Sequence, residues 1–248
     1  MPRTKRPPSS SLFEYKENLS RIKRFLRSAP NDKKILSSIR LRDKANTTFY
    51  SSVLLLSSYL ERYIESLVVE TIDFLNSENL TVKQIPEALR KSQIRENLDE
   101  ISGHFQKERV QTNIVILLGK LQNLLHTHDW YLKESEVMNK LSSDPLIGDM
   151  RFSNPSPDKI DILFRSLEIA SITGKAVGRD KSPDRGAIRE KVKELIEKRN
   201  NIAHTGGTVS VTKEDVASYI DYCERLTKGI DFILGEKLKE IAGKLPWK

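Results

Sequence analysis

The stretch FYSSVLLLSSYLERYIESLVVETIDFL, residues 49–75, decides the fold. Phe49, Val53, Leu56, Leu60, Tyr63, Ile64, Leu67, Val68, Ile72 and Leu75 recur at the intervals of one helix face. The stripe is wide and the pattern extends from about Asp43 to Asn76, so this helix is expected at the centre of the molecule. Glu61, Arg62 and Glu65 interrupt its richest apolar run, Val53 to Val69. No stretch approaches the roughly 20 apolar residues that a bilayer span needs.

Working outward, Leu12, Tyr15, Leu19, Ile22 and Leu26 mark a first amphipathic helix, and Pro30, Asn31 and Asp32 separate it from the second. Downstream, shorter helical patterns run around Ile85 to Ile101, Val110 to Leu125 and Asp158 to Ile169. Ser142 to Pro157 reads as a loop, and Thr173 to Asp184 reads as a second irregular stretch. Ser182 and Pro183 then resemble an N-cap and first helical position, and Gly206 and Gly207 a stop. Val209 and Val211 suggest a briefly extended turn, and Thr212 a cap for a last helix carrying Val216, Ile220, Cys223, Leu226, Ile230, Ile233 and Ile241. No internal repeat and no strand is expected. The predicted fold is an all-α helical bundle with an N-terminal helical extension: residues 1–42 form a basic tail and helix, and residues 43–248 the main domain.

Composition agrees: 31% charged and 38% hydrophobic residues suit solvated helices over a core, not a disordered or membrane chain. One cysteine, Cys223, allows no internal disulfide, and no apolar segment follows the basic Met1 to Ser11 stretch as a secretory signal requires. The expected location is therefore cytoplasmic. Charge is uneven: residues 1–44 hold 13 Lys/Arg against 4 Asp/Glu, or +9, while the whole chain carries +8. Such a segment suits either a phosphate backbone or a solvated helix face.

The chemistry gathers before the double glycine. At about 100° per residue, Ile188, Val192, Leu195, Ile196, Ile202 and Ala203 share a stripe, with Arg199 in its middle. A guanidinium there requires either a buried ion partner or a polar site. His204 follows about 140° further around the helix. It suits either a helix C-terminus, where the dipole favours it, or proton transfer at neutral pH.

Arg199-Asn200-Asn201-Ile202-Ala203-His204 resembles the R-x4-H signature of the HEPN superfamily, including the polar residue after the arginine. Val53-Leu54-Leu55-Leu56-Ser57-Ser58-Tyr59-Leu60-Glu61 resembles the second-helix signature of the RiboL-PSP-HEPN branch, over a span of residues 43–242. The resemblance implies a homodimeric endoribonuclease acting on RNA, often the toxin of a toxin–antitoxin or phage-defence system with a cognate antitoxin. In that reading Arg199 and His204 are catalytic, Asn200 positions phosphate or ribose, and Glu61 orients Arg199. No cofactor, metal or membrane contact is expected. The alternatives are a non-catalytic HEPN-like module that binds RNA or protein, and a nucleic-acid adaptor built on the basic N-terminal segment.

Other signals carry less. His126 and His128 with Asp129 lack a second ligand pair for a metal. Asp158 and Asp161 read as capping and solvated residues of one helix, and Gly174-Lys175 lacks a phosphate-loop frame. Cys223 reads as a small core residue, and Tyr219 and Tyr222 read as packing residues, with base stacking as the alternative for either.

Overall fold

A computed structural model describes residues 7–30, 38–95, 98, 111–127, 129–138, 141–147, 154–205 and 209–247. Helix α1 spans Ser10–Arg27 and α2 spans Ile39–Ser77. Helix α3 is Gln111–Thr127, α4 Pro157–Phe164, α5 Ile172–Arg179, α6 Ile188–Thr205 and α7 Lys213–Ala242. No strand occurs among the described residues, apart from a single bridge between Thr81 and Val137. The all-α expectation holds.

The 39 residues of α2 run about 58 Å at 1.5 Å per residue. Every residue of its predicted stripe, Phe49 through Leu75, is buried. It packs against α1, α6 and α7, so its central place follows from the width of that stripe. Ser52 and Thr71 are buried on the same helix and return their hydroxyls to the Thr48 and Leu67 carbonyls. Helix α7 shares the centre, touching α1, α2, α5 and α6. Its start is fixed as expected: Thr212 Oγ1 accepts from the Asp215 amide at 3.1 Å, and Asp215 returns the contact.

Helix α1 buries Leu12, Tyr15, Leu19, Ile22 and Leu26 in the same core. Ser9 caps it by accepting from the Leu12 amide, and donates in turn to Asp231 of α7. Two amide side chains, Asn76 at the far end of α2 and Gln93 beyond that helix, hold the middle of the chain. Asn76 brackets the backbone of Leu141 at 2.9 and 3.0 Å, and Gln93 brackets Ser142 at 3.1 and 2.7 Å.

Three expectations need correction. Thr173 to Asp184 is not irregular throughout, because Ile172–Arg179 is helical. Ser171 caps it, and Gly178 lies on its exposed side with nothing beside it. Its glycines look like breakers in sequence, but close packing holds the helix: a Cβ on Gly229 of α7 would lie 2.6 Å from Ala176 Cβ. Next, Ser182 and Pro183 do not open α6; they sit in a turn that leads through a 3-10 segment, Arg185–Ala187, to Ile188. Finally, Ser142 to Pro157 is not wholly loop, since Asp144–Ile147 forms one helical turn. Gly206 and Gly207, and most of the predicted helix from Ile85 to Ile101 beyond residue 95, lie outside the described residues.

Candidate active site at the end of the sixth helix

Helix α6 runs antiparallel to α7, held by Tyr219 Oη donating to Glu194 Oε1 at 2.7 Å. Ile188, Val192, Leu195, Ile196 and Ile202 are buried, as the stripe requires, while Ala203 is exposed. Past Ile196 the helix emerges from the core, and Arg199, expected in the middle of the stripe, is half-buried at its margin. The cost of placing a guanidinium wholly in the core therefore does not arise.

Arg199 Nη1 donates to Asn200 Oδ1 at 3.1 Å. Among the described residues no carboxylate lies within ion-pair distance of Arg199. Glu61 is not joined to it. It sits half-buried on α2, beside Glu65, whose carboxyl rises through burial and then through the nearby Glu61 charge. Tyr50 Oη donates to the Val209 carbonyl at 2.7 Å, which puts the first part of α2 beside the segment that follows His204. Glu61 lies eleven residues further along α2, about 16 Å of helix rise. The orienting contact on Arg199 comes from Asn200, next to it in sequence.

His204 is exposed in the last turn of α6. It stands about 7.5 Å along the axis from Arg199, with Asn200 and the small Ala203 between them in the helical projection. Arg199, Asn200 and His204 thus share one open face, with no bulky side chain between them. The segment after the helix is fixed at its far end: Lys198 Nζ donates to the Ser210 carbonyl at 2.9 Å, Tyr50 holds Val209, and Val211 is buried. Neither Lys198 nor Tyr50 was singled out in the sequence. Their roles depend on backbone carbonyls that no residue pattern encodes.

The residues set aside have structural occupations. Asp161 is not a solvated capping residue. It is buried and accepts from Arg189 Nη1 at 2.7 Å, the Thr173 amide at 2.8 Å and Ser171 Oγ at 2.9 Å. Burial pushes its carboxyl up, but the hydrogen bonds from Arg189, Thr173 and Ser171 outweigh this and hold it below the usual range. Cys223 is buried, and burial pushes its thiol up to about 12. Tyr222 Oη donates to Asp184 at 2.8 Å. His126 is exposed on α3, and His104 and His128 lie outside the described residues. Among the described residues no group of three or more His, Cys, Asp or Glu side chains gathers as a metal site, and no helix is long and apolar enough to cross a membrane.

No curated protein and no solved structure matches the chain. A family model does: RiboL-PSP-HEPN matches residues 10–236, from the first turn of α1 to the last third of α7 and across the Arg199–His204 segment. The chain therefore belongs to the RiboL-PSP-HEPN family.

Proposed function

We propose that the protein is a metal-independent endoribonuclease that cleaves RNA by attack of a 2′-OH on the adjacent phosphorus. Family membership supports an RNA-directed role. The observation that carries the catalytic reading is Arg199: a half-buried guanidinium oriented by Asn200, with no carboxylate to neutralise it among the described residues. A charge held in that way is available to an anionic ligand, and its planar fork matches phosphate oxygens.

His204 takes the proton from the 2′-OH as the O2′–P bond forms, and Arg199 stabilises the charge growing on the non-bridging oxygens. The P–O5′ bond then breaks and the leaving oxygen takes a proton from an acid, giving 2′,3′-cyclic phosphate and 5′-hydroxyl ends. Among the described residues one chain brings a single histidine near Arg199, so the acid is best supplied by His204 of a second copy across a two-fold axis, where an isologous interface repeats the same patch. The biological setting we propose is a toxin of a toxin–antitoxin or phage-defence system, since unrestrained RNA cleavage demands a cognate inhibitor.

The test is incubation of the purified wild type and His204→Ala with bulk RNA and with DNA, in EDTA, followed by analysis of the new ends. Wild type should cut RNA to cyclic-phosphate ends and spare DNA, which lacks the hydroxyl. Binding without cleavage would return the chain to the class of non-catalytic HEPN-like modules. Specific activity that stays constant on dilution into demonstrable monomers would exclude the shared site.

A further inference from the structure

The exposed face of α1 carries an open depression lined by Glu17, Ser20, Arg21, Lys23, Arg24 and Arg27. Lys23 is engaged, with Nζ 3.0 Å from Glu224 of α7. Arg21, Arg24 and Arg27 are exposed and spaced one turn apart, and among the described residues none has a carboxylate within ion-pair distance. Three cations on one helix face would ordinarily be read as solvation, or as stabilisation of the helix C-terminus by Arg24 and Arg27. Their position in the bundle argues for more.

Helix α1 runs antiparallel to α2. Its start is pinned beside the later part of α2 by Ser11 Oγ donating to Glu70 at 2.8 Å and by Arg62 against Glu14 at 3.2 Å. Its basic C-terminal turns therefore climb toward the beginning of α2, the end that Tyr50 ties to the segment after His204. Both α1 and α6 pack on α2 and α7. The first turn of α2 carries two further exposed arginines, Arg40 and Arg42. The exposed cations thus run from the last turns of α1 to the first turn of α2, where Arg40 and Arg42 stand about 200° apart around the helix, as a band toward the end of the bundle that Tyr50 ties to the segment after His204.

We infer that this band is a docking track for the sugar-phosphate backbone of a single RNA strand, which it delivers to the Arg199–His204 end. The inference rests on the ribonuclease reading only for the direction of delivery. The exposed cations of the α1 face with no carboxylate within ion-pair distance among the described residues, Arg21, Arg24 and Arg27, are all arginines, and the arginine fork pairs bidentately with phosphate. Helices pack 8–10 Å apart, so a strand reaching from Arg24 to Arg199 must cross more than one helix diameter. Only an RNA of several nucleotides engages both. A di- or trinucleotide at His204 does not reach α1.

The test uses the full chain and a 20-nucleotide 2′-O-methyl oligoribonucleotide, which lacks the attacking hydroxyl, so that binding is read apart from cleavage. Affinity is measured by fluorescence anisotropy over a salt series for wild type, the triple variant R21Q/R24Q/R27Q and the charge-retaining R21K/R24K/R27K. The Gln variant should bind about tenfold more weakly, with a log–log salt slope flatter by about 2, from ~0.7 per single-strand phosphate contact. The Lys variant should keep the wild-type slope, and a trinucleotide should bind wild type and Gln variant alike. Unchanged affinity and slope in the Gln variant would overturn the track, as would equal loss in the Lys and Gln variants or an equal loss on the trinucleotide. Weakened binding of polyglutamate with unchanged RNA binding would overturn it in favour of an acidic protein partner. Cleavage of unmodified RNA, scored in parallel against His204→Ala, keeps the two readings separate: a salt-sensitive track without cleavage removes the ribonuclease and leaves the track, and the reverse result removes the track alone.

Discussion

Two arginines ten residues apart on α6 have opposite environments. Near the N-terminus, Arg189 donates to Asp161 and Asp158 at 2.7 Å each and to the Thr173 hydroxyl, tying α6 to α4 and α5. Near the C-terminus, Arg199 donates only to the side-chain oxygen Oδ1 of Asn200 among the described residues. The first guanidinium is neutralised by carboxylates, and its bonding capacity is spent on the fold. The second retains its charge at a point where the helix leaves the core. One helix thus serves as a fixed beam at one end and, at the other, holds a guanidinium without a carboxylate among the described residues, which the proposed function uses.

The sharpest way to break this contrast is to remove the acceptor at the fixed end. Asp161→Ala leaves Arg189, Thr173 and Ser171 without their shared partner, and should cost about 3 kcal/mol. For a chain of this length that corresponds to a fall of roughly 6–12 °C in the melting midpoint, read by circular dichroism. Cleavage below the transition should survive. A melting point unchanged from wild type would mean that the Arg189 network is dispensable.

At the other end the effects should invert. Arg199→Ala and His204→Ala should each lower RNA cleavage at least ~10²-fold, the usual loss for a general acid–base group, while the melting midpoint stays within about 2 °C. Near-wild-type cleavage by either variant would take the motif out of the mechanism. A large melting shift in Arg199→Ala would make Arg199 a second structural arginine.

A smaller effect concerns acid. Asp180 accepts from Arg225 Nε at 2.8 Å and from the Ser182 amide at 2.7 Å, and the Arg225 hydrogen bond leads in holding its carboxyl well below the usual range. A carboxylate depressed in the folded state contributes stability that is complete above its unfolded value, about pH 4, and is lost as pH falls through the lower folded value. Urea titrations from pH 6 downward should therefore show stability declining below about pH 4, and Asp180→Asn should flatten that decline. An acid limb of undiminished steepness in Asp180→Asn would assign the decline to other carboxylates.

The smallest effect tests how the reactive end is held. Tyr50→Phe removes one hydrogen bond to the Val209 carbonyl, worth about 1 kcal/mol. Cleavage should fall a few-fold with helical content intact, because the segment after His204 loses one of the two side-chain tethers it has among the described residues. Wild-type turnover would show that Lys198 alone suffices.

The main helices were legible because burial imposes a period on the residues that pack: the stripes of α1, α2 and α7 read directly as faces of a bundle. Arg199, Asn200 and His204 were legible as a spacing on a helix, and the family signature gave that spacing a meaning. Helix α5 was not legible, because its two glycines argue locally against a helix that is held by the close approach of Ala176 to Gly229, 53 residues away in the chain. The Arg189–Asp161 pair escaped notice for the same reason, since 28 residues separate its members.

What the sequence determined by itself was the helical class, the central place of α2 and the spacing of Arg199, Asn200 and His204 at the end of one helix, because each depends on contacts or spacings within a few turns of one helix. Only the tertiary structure decided which arginine is neutralised and which is open, that Arg199 hydrogen-bonds Asn200 and not Glu61, and that the basic turns of α1 rise toward the same end of the bundle as His204. Those outcomes depend on how helices distant in sequence are juxtaposed, and a charge acquires its role from the groups that packing brings beside it.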